Sequence, residues 1–403
     1  MKKITSVLLS FIFALITFTA SVSSLETYSV SAAKVYETPY YYYQMSDNAQ
    51  KAYDELKEAV LNHKKKVTIK HSINNDDFNE IAELLILHDP MTFNLKDIEA
   101  TSVKSRSISF KLSYRYTDES YQKMVASYEK KVDKILSRLD DDMTTYSKIK
   151  IIHDSIANTA LYDVDYKLSD TMYGTLVKGR GKCDGYAKTF AYICGKAGIR
   201  TVTVIGKDVY STDDSMHMWN KVYYNKQWYN VDVTWDDPVS NMSDNRKYEF
   251  FMVSDNEIGK THTEDNLSFK VPAAKDSSKS YFKVYKKYAK SLSDAKSIIK
   301  DEIQKAVKKE KIHITLQCAT DEIYSNVCDY VLNVDKMHSV LKNIEKNYNL
   351  DLLSEVYSYG FNDIHKTVKI YLFYEDTGLS DYFLNPDEES TQIVRTLAEY
   401  GID

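Results

Sequence analysis

Gly181-Lys-Cys-Asp-Gly-Tyr-Ala187 is the stretch on which the fold of this chain turns. Residues 184–197 read as a helix, because Ala187, Phe190, Ala191, Cys194 and Ala197 recur at three- and four-residue spacing. Gly198 follows at the place where a helix usually stops. Cys183 therefore falls at the helix N-terminus, where unbonded amides and the macrodipole favour an anion. The thiolate is the nucleophilic form of cysteine, so a thiol here is a candidate for covalent catalysis. Gly181 and Gly185 flank it and suit a tight loop-to-helix turn. Cys194 lies about 16 Å farther along by helix rise. It reads as a buried structural residue, too distant to bridge to Cys183.

Two stretches downstream complete the pattern: Met216-His-Met-Trp-Asn220 and Trp228-Tyr-Asn-Val-Asp-Val-Thr-Trp-Asp-Asp-Pro238. Residues 217–224 and 227–235 read as two strands around Asn225-Lys226. A two-residue turn there pairs Tyr224 with Gln227, Val222 with Tyr229 and His217 with Thr234. His217 and Asp232 then become diagonal neighbours on one face, roughly 7–8 Å apart at the backbone and within side-chain reach. An aspartate so placed fixes the imidazole tautomer while the other nitrogen faces a thiol. The same parity also brings Asp236 diagonal to His217. Asp237-Pro238 marks the strand's end, so Asp236 is expected to be leaving the sheet and pinning the chain beyond it. Trp219, Trp228 and Trp235, all the tryptophans of the chain, fall in this hairpin and are expected to pack its core.

Taken together, these stretches resemble the transglutaminase-like superfamily, in particular its exported bacterial members, over residues 146–269. The resemblance is carried by His153-Asp154, Tyr173-Gly-Thr-Leu176, Gly181-x-Cys183-x-Gly-Tyr-Ala187, His217-x-Trp-Asn220 and Trp228-Tyr-x-Val-Asp232-x-Thr-Trp-Asp-Asp-Pro238. It implies that Cys183 is the nucleophile, His217 the general base and then acid, and Asp232 the orienter of His217. It implies a papain-like α+β core in which the cysteine helix packs on an antiparallel sheet. The substrate implied is an amide of a peptide or protein, since family members include cross-linkers, proteases and glycan-removing amidases, beside domains that have lost activity. Met218 departs from the small residue, commonly alanine, between the family's His and Trp, and its thioether is expected to narrow the cleft. His153 sits on an expected helix over 144–160, beside an apolar face of Ile149, Ile152, Ile156 and Ala160, and reads as structural.

The chain opens Met-Lys-Lys and continues with an apolar run from Ile4 to Ala20, followed by small residues. This is the pattern of a secretory signal, with Ser31-Ala-Ala33 as a candidate cleavage site beside earlier small residues, and an uncleaved membrane anchor as the alternative. The organisation expected is a signal peptide over 1–33, an N-terminal α+β region over 34–142, the core over 143–270, a linker over 271–280 and a C-terminal α+β region over 281–403. In the N-terminal region the pattern predicts helices near 48–62 and 76–88 and strands near 67–70 and 107–116. In the C-terminal region it predicts a helix burying Leu292, Ala295, Ile299, Ile303 and Ala306, with strands near 312–317 and 367–373. The order helix, strand, helix, strand on both sides of the core points to a distant structural repeat.

Cys318 and Cys328 could pair in an exported protein, leaving Cys183 free as a nucleophile must be. No Cys-x-x-Cys or His-x-x-x-His set occurs, so neither a metal nor another cofactor is expected. A net charge of −5 over 403 residues gives no reason to expect nucleic acid as a partner. The lysines over 283–311 read as a solvated helix face, with an anionic wall polymer as the alternative contact. The function these residues point to is an exported or cell-surface cysteine acyl-transfer enzyme acting on peptide or side-chain amides. The rival is a non-catalytic, wall-associated binding module that keeps the fold, for which none of Cys183, His217 and Asp232 would be needed.

Overall fold

The computed structural model describes residues 40–104, 107–211, 216–237, 247–265, 267–309, 311–348 and 352–374. The expected signal peptide lies outside these residues. Two units divide the chain, with boundaries at Asn241/Met242, Val253/Ser254 and Asp276/Ser277. Unit 1 takes in the N-terminal region and nearly all of the expected core, and the expected linker contains the last boundary. The architecture is α+β throughout, with helices laid against mainly antiparallel sheets.

Unit 1 begins with α1 (Asp47–Leu61), whose N-cap Ser46 accepts from Ala49 N and whose inner face buries Ala52, Tyr53, Leu56 and Val60. β1 (Lys66–Ile69) comes next, then α2 (Asn75–Glu83), started by a capping box between Asn74 and Asp77. The expected helix to residue 88 continues past α2 as a wide helical turn over Leu84–His88. β2 (Leu95–Lys104) and β3 (Ser107–Tyr114) complete an antiparallel sheet in the order β1-β3-β2. Neither β2 nor the next helix, α3 (Asp118–Leu136), is among the elements expected from sequence. β2 mixes charged and hydroxyl residues and carries two register shifts, so it lacks the alternation that marks a strand.

The segment from α4 onward builds the site. α4 (Thr145–Ala157) buries Ile149, Ile152, His153 and Ile156. A two-residue ribbon, β4 (Leu161–Tyr162) beside β5 (Arg180–Gly181), leads into α5 (Cys183–Lys196). Gly198, at φ 75°, takes the left-handed turn that ends the helix segment. α5 packs on β6 (Thr201–Asp208) and β7 (His217–Tyr224), burying Ala187, Phe190, Ile193 and Cys194. β8 (Gln227–Val231) and the short helix α6 (Val233–Asp236) come next.

After the brief strand β9 (Phe251–Val253) of unit 2, α7 (Asp255–Ile258) and β10 (His262–Glu264) return to unit 1. There the strands lie in the order β10-β6-β7-β8, with β6 antiparallel to both β10 and β7 and β7 antiparallel to β8.

The hairpin turns as expected at Asn225 (φ 49°) and Lys226 (φ 63°), both in the left-handed region that a primed two-residue turn requires. Tyr224 pairs with Gln227 and Val222 with Tyr229. The second strand is shorter than expected. It ends at Val231, so His217 pairs with Gly206 on β6 and not with Thr234. The side chain of Asp232 bonds to the amides of Thr234 and Trp235, which turns the chain into α6 at once.

In unit 2, α8 (Tyr281–Val284) leads to β11 (Tyr288–Ala289) and α9 (Leu292–Val307). Beyond them lie β12 (His313–Cys318), α10 (Asp321–Leu332), α11 (Val334–Tyr348), β13 (Leu352–Asn362) and β14 (Thr367–Tyr374). The sheet order is β11-β12-β14-β13. Its last three strands repeat the order of β1-β3-β2: the final strand of each set lies between the other two and is antiparallel to both. This is the topology a structural repeat would have. Ala295, Ile299, Ile303 and Ala306 are buried as expected. Cys318 ends β12 and Cys328 lies in α10. Both are free thiols, so the disulfide considered from sequence is not made.

Candidate active site

Cys183 is the first residue of α5, after Lys182 in extended conformation. Lys182 N donates to Ser169 O at 3.0 Å, which ties the loop before Cys183 to the segment behind it. Gly185 is required by that close approach. A Cβ there would stand 2.2 Å from Ser169 O, a backbone atom that cannot move aside. The Cys183 thiol is partly exposed, lies 3.9 Å from Met216 O and interacts with the His217 ring.

His217 opens β7 and is buried. Its Nε2 lies 2.6 Å from Asp232 Oδ2, which leaves Nδ1 as the ring nitrogen for the thiol. Asp232 is fully buried as the N-cap of α6. Its Oδ1 accepts from Thr234 N at 2.9 Å and from Trp235 N at 3.2 Å. Its Oδ2 serves a second ring as well: His262 Nε2 lies 3.0 Å away.

Burial alone would raise the Asp232 carboxyl. The charge and hydrogen bond of His217, together with the hydrogen bond of His262, outweigh it and hold the group well below the usual carboxylate range. For His217 the balance runs the other way. Burial disfavours its charge, but the Asp232 carboxylate, aided by Cys183, pushes the ring from 6.5 up to about 10. Favouring the charged ring favours the ion pair in which His217 has taken the Cys183 proton and faces a thiolate.

Two tryptophans wall this cluster. Trp219 stacks on His217 with ring centres 6.0 Å apart at 17°, and Trp235 lies 4.6 Å from His262. Trp228 packs elsewhere, against Tyr40 and Tyr223. Gly206, opposite His217, has no room for a Cβ because Thr263 O would lie 2.0 Å away beneath the Trp219 ring. Met218 does not narrow the cleft. It is buried with Ala187 and Ile205, on the face of β7 opposite to His217.

Asp236 is not leaving a strand. It closes α6, is fully buried, and meets His153 Nε2 at 3.2 Å. The other nitrogen of His153 lies 3.1 Å from Asp154 Oδ1, and Lys150 reaches the second oxygen of Asp154 at 2.5 Å. Burial disfavours a charged His153, but the hydrogen bonds and charges of Asp154 and Asp236 raise it overall. His153 is thus structural, as its sequence context indicates, and it pins the helix that Asp232 caps.

Sequence reasoning missed His262 because β10 is only three residues long and joins the sheet at its far edge from β8. Nothing local marks it. His217, Asp232 and His262 together present three donor atoms within 4.8 Å of one another, a set able to hold a metal ion, which the cluster satisfies with its own hydrogen bonds.

Residues 133–233 match the family model described as Transglutaminase-like superfamily, so the chain carries a transglutaminase-like core. Among curated proteins, the kyphoscoliosis peptidase of Mus musculus is 43% identical over 61 residues, which cover 13% of this chain and 9% of that protein. Its Homo sapiens counterpart is 41% identical over the same length, again covering 13% and 9%. The chain therefore spans only a small part of the curated relatives it matches. Among solved structures, one titled as a TGase is similar at 16% identity, covering 42% of this chain and 51% of that one, with a TM-score of 0.25.

Proposed function

We propose that the protein is an exported cysteine acyl-transfer enzyme, acting at the cell surface or wall on amides of peptides or protein side chains. The observation that carries this reading is the commitment of His217 Nε2 to Asp232 at 2.6 Å, with the opposite side of the ring turned to a thiol in the first turn of α5. A binding module would have no use for a buried imidazole held charged between a carboxylate and a half-exposed thiol. The packing of α5 on the antiparallel strands β6 and β7 supports a papain-like core. The positive start and apolar run of the first twenty residues support export.

In the first half-reaction the Cys183 thiolate adds to the amide carbonyl carbon. The carbonyl π pair moves to oxygen, and the helix-start amide of Cys183 donates to the resulting oxyanion. Collapse restores the carbonyl, breaks the C–N bond and releases the amine with the proton that His217 gives up. A thioester remains on Cys183. Water attacking it, with His217 as base, completes hydrolysis, whereas a primary amine in its place completes transamidation.

p-Nitrophenyl acetate tests the reading without knowledge of the natural substrate. The wild type should release a burst of nitrophenolate stoichiometric with enzyme, and Cys183→Ala should release none above background. Equal bursts from both proteins would overturn the proposal. For export, N-terminal sequencing of the mature protein should begin just after Ala33. Recovery of Met1 from a soluble cytoplasmic pool would contradict it.

A further inference from the structure

A tetrahedral intermediate needs more than one donor at its oxyanion, and α5 supplies Cys183 N–H from its unbonded first turn. Several side-chain donors around the nucleophile are already committed. Trp219 Nε1 donates to Asn230 Oδ1 at 3.0 Å, Asn220 Nδ2 donates to Ala187 O at 3.0 Å, and the Tyr186 hydroxyl donates to Asp237.

Tyr162 differs from these. It sits on β4, in register with Gly181, two residues before the nucleophile. Asp163 N donates to Gly181 O at 2.9 Å and Leu161 N to Gly179 O at 2.9 Å, so this ribbon is fixed on both sides of Tyr162. The residue is 50% exposed, and its hydroxyl has no protein hydrogen-bond partner among the described residues. We propose that the Tyr162 hydroxyl is the second oxyanion donor of the acyl-transfer site, acting beside Cys183 N–H.

The electrostatics keep that hydroxyl in its donating form. Partial burial, followed by the nearby charges of Cys183, Asp184 and Asp232, pushes Tyr162 up to about 12, so it stays protonated through the neutral range. Those three groups also place the phenol in the field of the nucleophile itself. As the thiolate adds and the π pair shifts to the carbonyl oxygen, negative charge moves from sulfur toward that oxygen. A phenol O–H strengthens its hydrogen bond to the oxygen as this happens, and weakens it again when the C–N bond breaks.

This inference rests on the acyl-transfer reading, and two chemistries on the same sulfur separate it from that reading. Acetylation by p-nitrophenyl acetate passes through an oxyanion, whereas alkylation by iodoacetamide is a displacement at carbon and forms none. Tyr162→Phe should lower the rate of Cys183 acetylation by about 100-fold, the scale on which a lost oxyanion donor acts. It should leave the concentration dependence of the ester reaction and the alkylation rate of Cys183 near the wild-type values. Acetylation by Tyr162→Phe at the wild-type rate would overturn the assignment while leaving the nucleophile intact. A parallel fall in acetylation and alkylation would also overturn it, since the tyrosine would then be shaping the thiol and not the oxyanion. Failure of the wild type itself to acetylate Cys183 would instead refute the acyl-transfer reading, and this assignment with it.

Discussion

Asp232→Asn removes one charge and keeps the shape. The Asn carbonyl can still accept from the amides of Thr234 and Trp235, as Oδ1 does at 2.9 and 3.2 Å. Its amide nitrogen then occupies the place of Oδ2, which serves His217 at 2.6 Å and His262 at 3.0 Å. An N–H group aimed at His217 makes that ring present a lone pair at Nε2, so its one proton moves to Nδ1. That nitrogen faces the thiol and can no longer take its proton. A tautomer error of this kind costs on the order of 10⁴-fold in kcat.

The lost charge acts separately, on stability. His217 rises from 6.5 to about 10 in the folded protein. A group raised in this way contributes stability that is complete below its unfolded value and disappears as pH rises through the folded one. At pH 7 about three pH units remain, each worth about 1.4 kcal/mol, so the pair contributes at most about 4 kcal/mol. Urea denaturation should therefore find Asp232→Asn less stable than the wild type by up to that amount at neutral pH, with the gap closing above about pH 10. Acetylation by p-nitrophenyl acetate reads the catalytic side. A variant within about tenfold of the wild-type rate would contradict the tautomer role of Asp232, and a stability gap that does not narrow with pH would contradict its charge pairing with His217.

The same geometry fixes three more outcomes. Iodoacetamide near neutral pH should modify Cys183 alone, because burial pushes Cys194 and Cys328 up and Cys318 to about 12; equal labelling of Cys183 and Cys194 in the folded protein would contradict this. Asp236→Asn should destabilise by about 3 kcal/mol, since it takes one carboxylate from buried His153 and leaves it Asp154, yet keep most of the acetylation rate. A dead Asp236→Asn beside an active Asp232→Asn would mean that the orienter is wrongly assigned. His262→Ala should cost about 2 kcal/mol by leaving Asp232 one charged hydrogen bond short, and His262→Gln should recover much of it; urea midpoints that are equal for wild type and Ala variant would exclude that role.

The sequence was legible where apolar periodicity was local and not diluted by charged residues. Helical spacing found α1, α4, α5 and α9, and the Asn225-Lys226 turn set the register of the hairpin. Cys183, His217 and Asp232 could be singled out because each is tied to such an element. The route to Asp232 was only half legible. Strand parity brought it near His217, but the contact is made by an N-cap carboxylate after the strand has ended, and a side chain that caps a helix is not bound by pleat alternation. Asp236 shows the same limit: its partner His153 lies 83 residues away on another helix, a pairing that no local pattern encodes. His262 depends on where a three-residue edge strand docks, and Met218 on which face of β7 meets the core. α3 was missed although its buried Tyr121, Met124, Tyr128, Val132 and Ile135 are helically spaced, because charged residues separate them and dilute the apolar stripe.

The proposed function requires Cys183 to carry the acyl group. Mixing the wild type with p-nitrophenyl acetate, quenching in acid during the burst and mapping the digested protein should find one acetyl group, on Cys183, held as a thioester that is lost on treatment with hydroxylamine. No acetyl group on Cys183 at that time point, or acetylation spread over surface lysines at the same level in Cys183→Ala, would contradict the account.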